Sequence, residues 1–379
     1  MPKKLIFNIT EDWFFCSHFL ERALSAQKNG YIIYVCSNKN NSQSIIEESG
    51  MKFIYLPYKR NSINPLYELF ILIRTIIIYY SVKPDIVHQI AAKPIIYGSL
   101  AAKICNVRAV INAPVGLGYV FTSASIKARL LRPILKTLMK CFLNTHKGRN
   151  KKNKVIFENN DDLNYFVKLG TLKREDSCLI RGAGVKIKKL NPSIKSSKIV
   201  TVTLVARMLK DKGIYEFVAA AEKLKNKNIK GRFLLAGDID PLNPSSLKRN
   251  TLIDWNQKGI IEWLGWVKNI DDLLNETDIL CLPSYREGLP KALLEGAAYG
   301  LPIVTTDSVG CRDVVEDGVN GFLVPIKNVD MLVDKLSKLI ESRLLREIMG
   351  KESLRLASSK FAESIINEQT MAIYKELSF

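Results

Sequence analysis

The chain has few of the residues from which metal centres and disulfide frameworks are built. Its 379 residues include three histidines and seven cysteines, and the cysteines show no paired spacing. Scattered ligands of this kind do not form a zinc cluster, and isolated cysteines are typical of a reduced, cytosolic protein. The apolar run after Lys3 and Lys4 is too short for a signal peptide, and we expect it to form a first β-strand. We therefore expect a cytoplasmic protein without a metal site.

Long uninterrupted apolar runs are missing as well. The longest apolar stretch extends from Leu66 to Val82 and contains Glu68 and Arg74. A membrane-spanning helix needs about 20 consecutive, mostly apolar residues. We therefore expect this stretch to form a helix that does not cross a membrane.

Acidic residues are far outnumbered, 37 against 56 lysines and arginines, which gives a formal net charge of +19. Residues 127–154 contain ten basic residues and no acidic one. Within residues 126–143 basic and apolar residues alternate at helical spacing, which suits a helix lying on an anionic membrane surface. The alternative is an ordinary amphipathic helix with its apolar face in the domain core. Nucleic-acid binding is less favoured, because no recognised nucleic-acid module accompanies the charge.

The order of apolar runs and helical patterns predicts two domains. Up to about residue 180 the sequence predicts strands at 4–10, 31–36, 53–56, 86–89, 109–112, 155–158 and 178–180, and helices at 15–28, 66–80, 95–106 and 161–169. A second alternating series begins with a strand at 199–205 and continues with a helix at 214–225, strands at 232–236 and 260–263, and a helix at 271–275. A polar segment containing Pro192 lies between the two series and is a plausible linker. This alternation of strands and helices predicts an α/β protein of two doubly wound, Rossmann-like domains with parallel sheets, facing each other across a cleft. We place them at residues 1–190 and 191–360, followed by a final helix at 361–379.

Residues 279–306 carry the most informative local pattern. A buried strand at 279–283 leads into a turn with Gly288, then a helix that begins near Pro290 and ends before Gly300. A helix N-terminus after such a turn offers N–H groups and a positive dipole end to an anion. Glu287 and Glu295 flank it, and carboxylates accept hydrogen bonds from hydroxyl groups. An anion site with two hydroxyl acceptors suits a sugar nucleotide.

Two cations follow another strand and precede a helix. Arg207 and Lys212 stand just before Gly213. At this place they can neutralise a diphosphate and stabilise the negative charge that develops as it leaves. The alternative is a pair of surface cations in a basic protein.

The motifs together resemble those of the retaining glycosyltransferases of family 4, which have the GT-B fold. Glu287 and Glu295 are separated by seven residues, as in the E-x7-E motif of that family. Further segments match in order and spacing: 205–213, 233–238, 263–267, 278–284 and 309–325. The resemblance implies that the last helix crosses back to the first domain. It also implies transfer with retention of configuration, without a metal and without a cofactor other than the nucleotide-sugar co-substrate.

Roles for individual residues follow from the resemblance. Glu287 would bind hydroxyls of the transferred sugar and act with Arg207 and Lys212 in catalysis, whereas Glu295 would bind the ribose. Backbone N–H groups of Gly288, Leu289 and Lys291 would contact the diphosphate or the sugar. A D-x-D sequence occurs at 238–240, but the family commonly has a Gly-Asp-Gly loop here, so we do not expect a metal site.

The first half resembles a narrower branch of the family, bacterial enzymes that build surface polysaccharides on a lipid carrier. The matching segments are 12–15, 17–18, 85–88, 93–94 and 116–121. They suggest His88 as a catalytic residue, and Lys93, Gly116 and Gly118 as acceptor-binding residues. For His88 the alternative is a buried histidine at a strand end. Two departures are the absence of glycine in residues 8–12 and Lys186 in place of the usual aspartate.

The sequence therefore predicts transfer of a hexose or N-acetylhexosamine from a UDP-linked or similar donor to a lipid-diphosphate-linked saccharide. The enzyme would act at the inner face of the cytoplasmic membrane, which it would contact through residues 127–154. Two alternatives are a nucleotide-sugar epimerase of the same architecture and a non-enzymatic protein that binds anionic surfaces.

Overall fold

The computed structural model describes residues 2–60, 62–115, 126–143, 152–187 and 199–378. The chain forms two compact units. The first comprises Met1–Gly184 and Glu363–Phe379, and the second comprises Val185–Ala362. The chain thus passes between the units twice, each time within a few residues of the boundaries expected at 190 and 360.

The first unit is built on a seven-stranded parallel sheet in the order β3-β2-β1-β4-β5-β6-β7. Its strands are β1 (Lys3–Glu11), β2 (Tyr31–Asn38), β3 (Lys52–Tyr55), β4 (Ile86–Ile90), β5 (Ala109–Ala113), β6 (Lys152–Phe157) and β7 (Ser177–Leu179). β4 and β5 are buried along their whole length, as expected for strands covered by helices on both faces.

Eight helices belong to the described part of the first unit. They are α1 (Asp12–His18), α2 (Leu20–Lys28), α3 (Gln43–Glu48), α4 (Pro65–Val82), α5 (Ala92–Ile104), α6 (Ile126–Phe142), α7 (Asn160–Lys168) and the C-terminal α14 (Glu363–Ser378). The Asn64 side chain caps α4 by accepting from the N–H groups of Leu66 and Tyr67. The last helix packs on α2, and Tyr374 lies in the core of this unit.

The second unit has a six-stranded parallel sheet in the order β10-β9-β8-β11-β12-β13. Its strands are β8 (Val200–Val205), β9 (Gly231–Ala236), β10 (Glu262–Gly265), β11 (Ile279–Leu282), β12 (Ile303–Thr306) and β13 (Gly321–Val324). Its helices are α8 (Ile214–Asn226), α9 (Arg249–Gln257), α10 (Ile270–Glu276), α11 (Lys291–Ala298), α12 (Val329–Glu341) and α13 (Arg343–Leu356). Both sheets have the doubly wound arrangement that the sequence predicts.

Some elements differ from the sequence-based prediction. The single helix expected at residues 15–28 is two helices, because the backbone leaves the helical conformation at Phe19 (φ −128°). Helices α3 and α9 were not expected. The apolar stretch forms the helix α4, whose 18 residues are long and apolar enough to cross a membrane by length and composition alone.

Candidate active site

The strand order of the second unit reverses at β8. β9 and β10 lie on one side of β8, and β11, β12 and β13 lie on the other. β8 and β11 are parallel neighbours, with Val202 opposite Ile279. In doubly wound sheets ligands bind outside the carboxyl ends of the strands at such a reversal. The loops that follow β8 and β11 are therefore the candidate site.

Two of the predicted side chains meet there. Lys212 follows β8, Glu287 follows β11, and the Lys212 Nζ lies 2.5 Å from the Glu287 Oε1. Their side chains are only 15% and 13% exposed, so water screens the pair less than it would at the surface. An ammonium group has three N–H donors and a carboxylate has two acceptor oxygens, so the contact leaves capacity on both groups for a ligand.

Backbone contacts fasten the β8 loop to the β11 loop. The Asp211 carbonyl oxygen accepts from the Tyr285 N–H at 2.9 Å and from the Ser284 hydroxyl at 3.1 Å. Gly213 has φ +74°, and a Cβ on it would lie 2.1 Å from the Pro283 carbonyl oxygen. Only glycine permits this approach, which sets the position of Lys212 relative to the strand end.

A side-chain contact adds to this fastening. The Tyr285 hydroxyl donates to the Glu216 Oε1 at 2.6 Å, and Glu216 lies in the first turn of α8. Burial and the neighbouring Glu216 carboxylate hold the pKa of Tyr285 above its usual value. The phenol therefore stays protonated and keeps donating to Glu216.

The loop after β12 supports the Glu287 turn from the other side. The Glu287 N–H donates to the Val309 carbonyl oxygen at 2.9 Å. Gly310 has φ +81°, and a Cβ on it would lie 2.5 Å from the Gly288 carbonyl oxygen and 2.6 Å from that of Glu287. Gly310 was not among the predicted site residues, although its place after a buried strand was a usable signal.

Helix α11 has the ends that the sequence predicts. Pro290 is its N-cap residue, and Gly300, just beyond its end, has φ +65°. The N–H groups of a first helical turn have no carbonyl partner within the helix, so this end is suited to bind an anion. Gly288 and Leu289 lie immediately before it, and the Leu289 side chain is buried in the core.

Glu295 lies on the second turn of α11. Its side chain is 24% exposed, and the Lys291 Nζ lies 3.3 Å from its Oε1. Burial raises the pKa of the Glu295 carboxyl, and the Lys291 ammonium opposes that shift. The Lys291 side chain thus forms an ion pair with Glu295.

Arg207 has a partner that the sequence analysis did not assign. Its Nη1 lies 2.5 Å from the Asp240 Oδ2, in the loop after β9. The other aspartate of the D-x-D sequence, Asp238, pairs with Arg249 at 3.0 Å. Each of the two carboxylates therefore holds an arginine. Among the described residues no group of three or more His, Cys, Asp or Glu side chains is arranged to bind a metal ion.

His88 lies inside the first unit rather than at a surface. It is fully buried, its Nδ1 lies 2.8 Å from the Tyr374 hydroxyl, and its ring packs against Phe7 and Phe19. Burial, with a smaller contribution from the Arg22 guanidinium, lowers the pKa of His88 to about 3. His88 is the middle residue of β4, not the end of a strand as the sequence suggested, but it is buried as the alternative reading expects. The catalytic role expected for His88 therefore gains no support.

Lys93 is occupied by local partners. Its Nζ donates to the Lys59 carbonyl oxygen at 2.7 Å, to the Ser62 carbonyl oxygen at 2.8 Å and to the Glu68 Oε1 at 2.7 Å. An ammonium has three N–H donors, and these contacts use all of them. Lys93 thus fastens the segment before α4, and acceptor binding by its side chain would require these bonds to break. Gly116 and Gly118 lie outside the described residues.

The basic segment 127–154 is divided between two elements in the described part of the chain. Arg129 and Lys140 are exposed on α6, whose Met139 belongs to a buried cluster with residues of α5, β6 and α7. Lys154 belongs to β6 and pairs with Glu376 of α14 at 3.1 Å. The apolar face of α6 thus lies in the domain core at Met139, as in the alternative raised for this segment.

Comparison with known proteins identifies the family. Residues 4–146 match the family described as "Glycosyl transferase 4-like", and residues 199–342 match "Glycosyl transferases group 1". The chain is 28% identical over 367 residues to the N,N'-diacetylbacillosaminyl-diphospho-undecaprenol alpha-1,3-N-acetylgalactosaminyltransferase of Campylobacter jejuni, covering 93% of each protein. It is 25% identical over 334 residues to the UDP-Gal:alpha-D-GlcNAc-diphosphoundecaprenol alpha-1,3-galactosyltransferase of Escherichia coli, covering 84% of this chain and 81% of the relative.

Solved structures agree on the fold. Anabaena HepE in complex with UDP superposes with a TM-score of 0.78 at 16% identity, covering 99% of this chain and all of that protein. A sucrose-phosphate synthase of Thermosynechococcus elongatus superposes with a TM-score of 0.81 at 17% identity, covering 99% of both. The two family matches and the relatives of similar length show that the chain belongs to glycosyltransferase family 4, the retaining glycosyltransferases with the GT-B fold.

Proposed function

We propose that this protein transfers a hexose or N-acetylhexosamine from a nucleotide-diphosphate sugar, UDP-linked, to a saccharide carried on a lipid diphosphate. The product would be an intermediate of a bacterial surface polysaccharide or glycan. Support comes from the two relatives of nearly full length, whose names specify an undecaprenol-diphosphate acceptor and transfer of N-acetylgalactosamine or galactose.

The observation that carries the proposal is the contact between Lys212 and Glu287 at the carboxyl ends of β8 and β11. A cation and a carboxylate held together at the reversal point offer one group for phosphate and one for sugar hydroxyls. The loop that contains Glu287 leads directly into α11, and the N-terminus of this helix is a second place where phosphate oxygens can bind.

In this reaction Lys212 and Arg207 neutralise the donor diphosphate and the charge that grows as it departs. Glu287 binds hydroxyls of the transferred sugar, and Glu295 binds the ribose. Backbone N–H groups at Gly288, Leu289 and Lys291 contact the diphosphate or the sugar. Arg207 must share its guanidinium between Asp240 and the donor, which five N–H donors permit.

Retention of configuration follows from attack on the face that the leaving group vacates. The bond between the anomeric carbon and the phosphate oxygen breaks, and the electron pair leaves with the nucleoside diphosphate. The acceptor hydroxyl oxygen bonds to the same face, and its proton passes to the departing phosphate. This route requires neither a metal nor a protein nucleophile, and the two D-x-D carboxylates already hold arginines.

The acceptor places the enzyme at a membrane. We propose a peripheral position on the inner face of the cytoplasmic membrane, with the basic segment 127–154 facing anionic lipids. The exposed Arg129 and Lys140 on α6 support this, since each basic residue near such a surface adds about 1 kcal/mol to binding.

The test is a transfer assay with a panel of radiolabelled UDP- and GDP-sugars, a bacterial membrane lipid extract and EDTA. We expect label to enter the lipid fraction from one donor with wild-type protein and not with Glu287→Ala. Donor turnover without any acceptor would instead indicate the epimerase. Absence of donor-dependent thermal stabilisation with every sugar nucleotide would leave only the binding protein.

A further inference from the structure

Helix α4 has an outer face that is unlike the surface of a soluble protein. Six of its apolar side chains are between 44% and 79% exposed. They are Leu66, Leu69, Phe70, Ile73, Ile77 and Tyr80, which we call the α4 stripe. At 100° per residue they fall within an arc of about 100°, and they run the length of a helix roughly 27 Å long. A surface helix normally places polar residues on this arc.

The opposite face of α4 is committed to the fold. Ile71, Ile78, Tyr79 and Val82 lie in a buried cluster together with residues of β1, β4 and α5. α4 is therefore apolar on both sides, yet only five of its 18 residues are buried. The helix cannot cross a bilayer without leaving its sheet and exposing this core. It can lie in the plane of a membrane with its outer face inserted.

The charges around the α4 stripe have one sign. Lys59 and Arg60 precede the helix, Lys83 follows it, and all three are exposed. Arg74 lies beside the stripe, with its guanidinium carbon 5.8 Å from the centre of the Phe70 ring. Long basic side chains at the rim of an apolar surface can reach lipid headgroups while their stems stay in the apolar layer.

The acidic residue of α4 is turned away from this rim. Glu68 accepts from Lys93 at 2.7 Å and from the Tyr97 hydroxyl at 2.6 Å, and its side chain is 15% exposed. Its negative charge is thus neutralised within the unit. The outer side of α4 consequently combines an apolar stripe with a basic rim, which is complementary to an anionic bilayer.

We propose that the α4 stripe inserts into the headgroup region of an anionic membrane and holds the first unit on its surface. This inference rests on the proposed function for the reason to be at a membrane, but it concerns different residues from the basic segment. A second copy of the chain is a poorer occupant, because a two-fold contact would bring the basic rims of both copies together.

Vesicle flotation tests the proposal with the full-length protein. Ile73→Glu/Ile77→Glu places two charges on the stripe. Leu344→Glu/Ile348→Glu is the matched control, since it makes the same change at the same spacing on α13, where both side chains are at least half exposed. With phosphatidylcholine–phosphatidylglycerol vesicles we expect the stripe variant to partition at least about tenfold more weakly than wild type. The control should stay within about twofold of wild type.

Salt separates the stripe from the basic segment. At about 0.5 M NaCl electrostatic attraction is largely screened. Wild-type protein should then retain part of its binding, and the stripe variant should lose it. The proposal would be overturned if the stripe variant bound vesicles as strongly as wild type. It would also be overturned if the stripe variant and the Leu344→Glu/Ile348→Glu control lost binding equally. A wild-type dimer in light scattering that the stripe variant abolishes would overturn it too, since it would assign the stripe to a second copy.

Insertion can be seen directly with Ile77→Trp, and Ile348→Trp serves as control. Brominated-lipid vesicles should quench the added fluorescence of the first variant and not that of the second, and the reverse pattern would contradict insertion. Transfer to a water-soluble acceptor analogue should be the same in Ile73→Glu/Ile77→Glu and wild type. If the protein inserted into vesicles but transferred no sugar, the proposed function would be refuted, whereas membrane insertion of the α4 stripe would still be supported.

Discussion

The Nζ of Lys212 lies 2.5 Å from the Oε1 of Glu287, although 75 residues separate the two along the chain. They belong to loops that follow neighbouring parallel strands, β8 and β11. Each side chain therefore fixes the orientation of the other before any ligand binds. A pre-oriented cation and carboxylate at this place lose little further freedom when a sugar nucleotide arrives.

The first prediction concerns this pair. Lys212→Met and Glu287→Ala should each lower kcat/KM for sugar transfer at least about 100-fold, because each removes a group aimed at the reacting donor. The double variant should lose little more than the worse single variant, since the two residues act as a unit. Steady-state kinetics of the three variants measures this coupling.

A second lysine–carboxylate pair of the same unit provides the control. Lys223 lies 2.6 Å from Asp330, and both side chains are substantially exposed. Lys223→Met should leave kcat/KM within about twofold, because an exposed pair adds little and this one lies away from the site. Circular dichroism of all variants should show an unchanged fold. Unaltered turnover of Glu287→Ala would remove Glu287 from the active site.

The second prediction tests the backbone support of the Glu287 turn. Gly310→Ala combines a left-handed conformation with a Cβ only 2.5 Å from the Gly288 carbonyl oxygen, so the turn must shift. Gly318→Ala has a similar conformation, φ +76°, and no atom within 4 Å. The control should cost about 1–2 kcal/mol of stability. Gly310→Ala should cost at least about 1 kcal/mol more and lower kcat/KM about 10- to 100-fold.

Chemical denaturation and transfer kinetics on both variants measure the two effects. Because both substitutions introduce the same strain at φ > 0, their difference isolates the displacement of the Glu287 turn. Equal kinetics in the two variants would mean that Gly310 does not position Glu287.

The third prediction is a pH dependence of donor binding. Burial raises the pKa of the Glu295 carboxyl above its usual 4.5. A group whose pKa is raised in the folded protein becomes protonated as the pH falls, at a higher pH than an exposed glutamate. A protonated carboxyl accepts hydroxyl hydrogen bonds more weakly, so affinity for the donor should fall as pH decreases through this raised pKa.

Calorimetric titration of the nucleotide sugar across acidic pH measures this effect. Glu295→Gln should bind more weakly at neutral pH, and the part of the pH dependence due to Glu295 should be absent. Identical pH profiles for wild type and Glu295→Gln would show that another group titrates.

Much of the fold was predictable because buried parallel strands have short, continuous apolar sequences. The strands predicted around 86–89, 109–112 and 279–283 are present with small shifts. The contact of Lys212 with Glu287 was predictable in kind, since residues after adjacent parallel strands meet at one edge of the sheet.

Contacts between loops were not predictable in the same way. The bond of Arg207 to Asp240 joins two loops, and the bond of Tyr285 to Glu216 joins a loop to the first turn of α8. The conformations of these loops depend on close backbone approaches. No periodicity in the sequence records such approaches. The three hydrogen bonds of the Lys93 ammonium group were unpredictable for the same reason. Their acceptors, Glu68 and two carbonyl oxygens, belong to a loop and a helix that are distant in sequence.

The last prediction tests the burial of His88 inside the first unit. Burial lowers its pKa from 6.5 to about 3, so the histidine is neutral in the folded protein over most of the acidic range. In the unfolded chain the same residue takes up a proton as the pH falls below 6.5. The unfolded state then binds more protons, so stability must decrease as the pH falls from 6.5 towards 3. Between pH 7 and pH 5 this amounts to about 2 kcal/mol.

His88→Gln removes the titrating group while keeping a side chain that can bond to the Tyr374 hydroxyl. Its absolute stability will be lower, because a fully buried ring is replaced. The informative quantity is the change in the free energy of unfolding between pH 7 and pH 5, measured by urea denaturation. This change should be about 2 kcal/mol smaller in the variant than in wild type. The other two histidines are common to both proteins and cancel in the comparison. Equal slopes would mean that His88 is protonated as readily in the folded protein as in the unfolded one, and the interior position derived for it would be wrong.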